Sequence, residues 1–395
     1  MYRRQLLQLA ALAPLYACAG RLYAMPGSSP RFLLVFLRGG YDCANVLVPC
    51  SSSDYYEGRP NIAIAKPNAT DINSAIALDS DWGLTPALRD SISIMYQRGE
   101  AAFIPFAGTE DLSRSHFETQ DSIELGQPMQ GTRNLRSGFM ARLAAQLQGI
   151  NPIAFTDSLP LTFRGETDIP NVSLKGVGKP VFDQRQAGIL ASMYAGNHLQ
   201  AAINDGLELR QEVGRSMEEE MNAANRDAIS AKGFALEAQR VARLMLDQYR
   251  LGFIDVGGWD THVNEGGANG ALASNLTNLG SGLNALAQTL GNEWKNTVVV
   301  VVSEFGRTFK ENGNRGTDHG HGSVYWVLGG GIKGGHIAGE QIQISRANLS
   351  QDRDYPVLND YRAMLGGMFK TLWGLSDQQL DKVFPQIRAV DLKLV

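Results

Sequence analysis

Several broad classes are excluded by what this sequence has little of. Only three of its 395 residues are cysteine, and none stands in the C-x-x-C spacing of a redox motif. Charged residues make up 19%, too few for a disordered chain. The 36 basic and 40 acidic residues leave a formal net charge of -4. No basic block stands out, so no nucleic-acid partner is expected. The N-terminal apolar stretch is too short for a transmembrane span of about 20 residues. No internal repeat or low-complexity tract is visible. What remains, 44% hydrophobic and 8% aromatic, is ordinary globular composition, enough for one large α/β domain or two smaller ones. Glycine is in excess, 43 of 395, or about 11% against roughly 7% on average. These glycines cluster near the polar motifs, which suggests tight turns around a site.

The chain opens Met1-Tyr2-Arg3-Arg4-Gln5-Leu6-Leu7-Gln8, and an apolar run follows to Ala19, broken only by Pro14. Paired arginines before a moderately apolar stretch read as a twin-arginine signal peptide over residues 1–24, cleaved after Ala19 or Ala24. The weaker readings are an amphipathic N-terminal helix and a lipid anchor at Cys18, whose lipobox is spoiled by Tyr16. Export predicts a periplasmic or secreted protein. Cleavage after Ala24 would leave 33 basic and 40 acidic residues, a net charge of -7. Cys43 and Cys50 would remain. A disulfide between them is permitted in an oxidising compartment, and two free thiols are the alternative.

The apolar run Phe32–Leu37, ending in Arg38-Gly39-Gly40, reads as a buried central parallel strand. Ala101–Phe106, Gly252–Val256, Thr297–Ser303 with its five consecutive valines, and Ser323–Leu328 are further strands. Helical patterns cover Thr85–Gln97, Phe139–Gln148, Ala271–Leu290 and Asn359–Trp373. The alternation predicts an α/β fold, a mostly parallel central sheet with helices on both faces, as a single domain over 31–395. Residues 185–251, rich in Ala, Glu, Met and Arg, read as a helical insertion.

Active sites on parallel sheets lie at the carboxyl ends of the strands. Acids or histidines follow the apolar strands here at once: Gly40-Tyr41-Asp42, Gly258-Trp259-Asp260-Thr261-His262, and Ser303-Glu304-Phe305-Gly306-Arg307. A glycine-rich loop adds Gly316-Thr317-Asp318-His319-Gly320-His321-Gly322. Converging carboxylates and imidazoles need partners or a metal when buried. Mixed Asp, Glu and His donors suit Zn first, with Mn or Ca as alternatives. In Ser113-Arg114-Ser115-His116-Phe117-Glu118, Ser115 and Glu118 fit a capping box. A serine at a helix N-terminus also faces N–H groups that can hold an anion. Against a metal its hydroxyl could attack phosphorus or sulfur, with Arg114 or Arg307 clamping the ester.

Arg38–Asp42, Ser113–Phe117, Asp260–His262, Ser303–Thr308 and Gly316–Gly320, in this order, resemble the bacterial family catalogued as domain of unknown function 1501, from about Arg31 to Gly374. That family is similar to the alkaline phosphatase and sulfatase superfamily. The resemblance implies a metal-dependent α/β hydrolase of phosphate or sulfate esters with a hydroxyl nucleophile. On that pattern Ser115 is the nucleophile, with Ser113 as alternate and substrate contact. Asp42, Asp260, His262, Glu304 and His319 or His321 hold one or two divalent ions, while Arg114, His116 and Arg307 serve catalysis and substrate binding. Phe305 stands where the superfamily has a second metal's histidine, and Cys43 where other members commonly have glycine. The expected substrate is a small-molecule or polysaccharide anionic ester. A non-catalytic, metal-stabilised periplasmic protein that binds a partner protein or polysaccharide is the other reading, and a fold kept without its reaction stays open.

Overall fold

The computed structural model describes residues 29–174, 189, 191–197, 199–201, 203 and 233–395. The signal-peptide expectation and much of the helical insertion lie outside the described residues. Within the insertion, Phe234–Asp247 is a helix, but Tyr249–Leu251 already belongs to a strand. No helix among the described residues is long and apolar enough to cross a membrane.

Seven strands form the central sheet, in the order β10-β5-β9-β8-β1-β7-β6. They are β1 (Arg31–Leu37), β5 (Ala101–Gly108), β6 (Asn151–Phe155), β7 (Tyr249–Val256), β8 (Thr297–Ser303), β9 (Ser323–Leu328) and β10 (Asn359–Asp360). A small antiparallel sheet holds β2 (Leu47–Pro49), β3 (Ile76–Ala77) and β4 (Trp82–Leu84). All residues of β1 and β8 are buried, because the sheet is covered on both faces and alternation gives way to a continuous apolar run. Leu33, Val35, Leu37, Val299 and Val301 enter the core on one face; Phe32, Leu34, Phe36, Val298, Val300 and Val302 enter the core on the other. Each such side chain stabilises the fold by roughly 1.5–3 kcal/mol.

Helices α5 (Phe234–Asp247) and α6 (Ala271–Leu290) pack together on the first face. Helices α4 (Phe139–Gln146), α7 (Tyr361–Trp373) and α8 (Asp377–Val383) cover the second. Three further helices are α1 (Ser53–Gly58), α2 (Ile92–Gln97) and α3 (His116–Leu125). The pattern over Thr85–Gln97 resolves into a 3-10 turn and the short α2, and the one over Asn359–Trp373 begins with β10.

The sheet is mostly parallel, as expected, with one strand reversed. β9 runs antiparallel to both β8 and β5, while the other six run the same way. No helix crosses over between β8 and β9, and a parallel return needs such a crossover. The reversal has a consequence for the site. The loop before β9, with His319, arrives at the same sheet edge as the loops that follow β1, β5, β7 and β8.

Cys43 and Cys50 are both free thiols. Cys43 is buried beside the Gly322 carbonyl, and burial pushes its pKa up to about 12.

Candidate metal centre

Three loops bring their side chains together at this edge. His116 is the first residue of α3; Asp260 and His262 follow β7; His319 precedes β9. One donor atom from each of His116, Asp260 and His319 lies within 4.8 Å of the others. His116 Nε2 is 3.6 Å from Asp260 Oδ2, and His319 Nε2 is 3.3 Å from Asp260 Oδ1. His262 Nε2 joins them, 2.9 Å from Asp260 Oδ1 and 3.0 Å from His319 Nε2. Close packing of the loops makes this possible. A Cβ on Gly316 would stand 2.3 Å from the His262 carbonyl oxygen, so only glycine lets these two strands of loop touch.

Each imidazole has an acceptor at its other nitrogen. His116 Nδ1 donates to Glu304 Oε1 at 2.8 Å, and His319 Nδ1 donates to the Arg114 carbonyl at 3.0 Å. His262 Nδ1 faces Asp318 Oδ1 at 3.4 Å. Protons placed on Nδ1 would leave Nε2 lone pairs facing one another and Asp260, an arrangement that a shared cation relieves. His116 Nε2 is buried and has no hydrogen-bond partner, which is the state of a ligand nitrogen. The residues therefore fit a divalent metal.

Charges behind the cluster set its electrostatics. The Glu304 hydrogen bond raises the His116 pKa, while burial and the charge of His116 lower that of His319. Burial opposes ionisation of Asp260, but the hydrogen bond and charge of Arg307 outweigh it and hold the carboxyl below its ordinary range. Burial likewise opposes ionisation of Glu304, and bonds from His116, Gln120 Nε2 and the Gly39 N–H lower its pKa.

Several residues expected in the site have other employment. Glu304 backs His116: its oxygens are taken by Gly39, His116, Gln120 and Ser303. Asp42 is not brought to the cluster. It is fully buried, and both of its oxygens bind the Arg59 guanidinium. His321 is buried beside Asp111 and Arg114, away from Asp260, and burial lowers its pKa to about 4. The Arg307 side chain is fully buried, donating to the carbonyls of Gly39, Gly40, Trp259 and Thr317 and to Asp260, so it braces loops instead of facing substrate. The Arg114 guanidinium is paired with buried Asp354 and Gln351; its carbonyl, not its charge, serves the site. Ser115 is the N-cap of α3, but its hydroxyl makes no capping bond and the expected box with Glu118 does not form. Instead the Ser115 N–H donates to Ser113 Oγ, after a left-handed turn at Arg114. Phe305 stacks near His116 and His319, ring centroids 5.0 and 4.9 Å away, and forms an apolar wall; Gly40, at φ +61, has no room for a Cβ against that ring.

Three contributors escaped the sequence reading. Gln120 stands one helical turn after His116, and that i, i+4 spacing could have placed both on one face. Arg59 carries no motif. Glu265 accepts hydroxyl bonds from Thr261 and Thr317, both at 2.8 Å, and its only signal was the threonine beside each Asp and His pair. Burial, followed by the Asp42 charge, drives the Glu265 pKa well above the carboxylate range.

Residues 29–384 match the family described as "Protein of unknown function (DUF1501)", and the chain belongs to it. No curated protein matches. Among solved structures, the chain is similar to a protein in the alkaline phosphatase superfamily from Vibrio parahaemolyticus, at 12% identity and TM-score 0.37. The match covers 78% of this chain, which spans only 62% of the Vibrio protein's length. It is similar also to the lipoteichoic acid synthase LtaP of Listeria monocytogenes (10% identity, TM-score 0.42, 93% of this chain and 77% of that one). A third similarity is to the C-terminal periplasmic domain of EcEptC from Escherichia coli, solved with Zn (9%, TM-score 0.36, 77% and 74%).

Proposed function

We propose that this chain is an exported, metal-dependent hydrolase of phosphate or sulfate esters, with Ser115 as its nucleophile. The observation that carries the reading is the convergence of three imidazole Nε2 atoms on Asp260, each ring with an acceptor at Nδ1. His116, Asp260, His262 and His319 would hold a single ion, zinc by preference. When bound, it supplies Lewis acidity toward an ester oxygen. Ser115 lies next to His116, with a hydroxyl free of capping duty and the N–H groups of α3 beside it to hold anionic oxygens. The serine oxygen forms a bond to phosphorus or sulfur while the ester C–O–P or C–O–S link gives up its alcohol, which takes the serine proton. Water then adds its hydroxyl to the same centre as the bond from the Ser115 oxygen to phosphorus or sulfur breaks, and its second proton goes to that serine oxygen. Export rests on Arg3-Arg4 and the apolar run behind them.

A second reading has its own support. Both candidate clamps for an anionic ester, Arg114 and Arg307, are committed to protein partners. That favours a metal-stabilised periplasmic binder of a protein or polysaccharide. Elemental analysis of wild type beside His116→Ala tests the shared premise: about one equivalent of zinc, lost in the variant, is expected. Turnover of 4-nitrophenyl phosphate or sulfate, abolished in Ser115→Ala, would establish the hydrolase. Zinc that raises the melting temperature without any turnover would establish the binder. A wild type that takes up no metal after reconstitution would sink both.

A further inference from the structure

We infer that Glu265 is a positioning residue for the metal centre, its carboxyl group clasping the loop of Asp260 and His262 to the loop of His319. The inference rests on the metal-centre reading above and concerns how that site is held. One oxygen, Oε2, accepts from Thr261 Oγ1 and from Thr317 Oγ1, each at 2.8 Å. Thr261 stands between two ligands, and Thr317 stands two residues before the third. A shift of either threonine therefore moves a ligand with it.

The clasp is anchored rather than hung from a mobile side chain. Glu265 and Thr317 are fully buried. The Glu265 N–H donates to the Arg315 carbonyl, and its own carbonyl accepts from Leu272 at the start of α6. The Thr317 N–H meets the Thr261 carbonyl at 3.3 Å, so main chain and side chains close the same seam. The carboxyl group also faces the Asp42 carboxylate, and burial together with that charge raises the Glu265 pKa, so a proton held by Glu265 is shared with Asp42. Groups that hold metal ligands in place fix ligand orientation, and their loss typically costs about 10–100-fold in metal affinity.

Glutamine retains an oxygen able to accept both threonine hydroxyls, whereas alanine removes it. Zinc affinity measured by competition with a chromophoric chelator, on protein checked for folding by circular dichroism, separates the cases. Glu265→Ala should bind zinc about 10–100-fold more weakly, while Glu265→Gln should stay within about threefold of wild type. Thr317→Val should weaken binding and Thr317→Ser restore it. Adding Thr317→Val to Glu265→Ala should change little further, since both break one contact. The serine and valine pair decides the matter if Glu265→Ala does not fold. Wild-type affinity in Glu265→Ala or in Thr317→Val, or glutamine as weak as alanine, overturns this inference alone. Wild type that binds no zinc overturns the metal-centre reading and the clasp with it, and the two failures are thus distinguishable.

Discussion

Two carboxylates at one sheet edge, Asp42 after β1 and Asp260 after β7, have opposite surroundings. Asp42 is fully buried, and a single guanidinium from Arg59 covers both of its oxygens. Arg59 in turn spends its remaining donors on Asn45 and on the Thr308 and Phe309 carbonyls, so charge and hydrogen-bonding capacity both close internally. Asp260 keeps a side chain 48% exposed. Arg307 holds its Oδ1, and its Oδ2 faces the unpartnered His116 Nε2. A buried charge persists only where it is fully paired, and complete pairing leaves nothing for a ligand. The pair of Asp42 and Arg59 is thus architecture, and the half-open set around Asp260 is where chemistry has room.

Arg59 is the group whose loss would most alter the difference between the two carboxylates. Arg59→Met strands a buried carboxylate and should destabilise the protein by roughly 3–5 kcal/mol at neutral pH, read by denaturant melts. In wild type, burial opposes ionisation of Asp42, but Arg59 wins and lowers its pKa. A lowered folded-state pKa contributes stability above the ordinary carboxylate range, lost as pH falls through the folded value. Without Arg59 the penalty vanishes once Asp42 is protonated. The stability gap between variant and wild type should therefore narrow steadily toward acid pH. A gap that is constant with pH would mean that Asp42 is not the group left stranded.

This contrast explains which parts were legible in the sequence. The buried strands were, because β1, β8 and β9 are apolar runs whose ends are marked by glycine or polar residues. So were the cluster members, because acids and histidines directly after such strands share an edge. The division of labour among them was not. Asp42 and Asp260 look alike in the chain, and the difference is supplied by Arg59, which no local spacing links to Asp42. Glu304 reads as a ligand and His116 as a helper in the chain, but the structure gives Glu304 four donors and leaves His116 Nε2 without a hydrogen bond. The direction of β9 was also hidden. A five-residue apolar run fits either orientation, and only the missing crossover decides it.

A smaller effect sharpens the open side of the comparison. Gln120 donates to Glu304 Oε1 at 2.9 Å while its own oxygen accepts from Arg38 at 2.9 Å, so its amide orientation is fixed. Gln120→Leu should leave Glu304 less well aimed at His116 and weaken zinc binding by about tenfold, near the low end for an outer-shell group. The loss should appear in zinc titration and not in the melting temperature of metal-free protein. Equal loss in both would place Gln120 with the architecture.

The smallest expected change is also the most discriminating for Ser115. Ser376 and Ser115 both stand at helix N-caps but are bonded differently. Ser376 accepts from the Gln379 N–H, and the Gln379 side chain returns a bond to the Ser376 N–H, a complete capping box. Ser115 makes no such side-chain bond. Removing the Ser376 hydroxyl should therefore cost about 1 kcal/mol of stability, as capping serines do. Removing that of Ser115 should change stability by no more than about 0.5 kcal/mol, as for a surface substitution that breaks no special contact. A hydroxyl that contributes nothing to the fold, at a helix start beside His116, would be consistent with the proposed nucleophile. If Ser115→Ala instead destabilises as much as Ser376→Ala, the hydroxyl is occupied as a cap, and the case for it as nucleophile loses its structural ground.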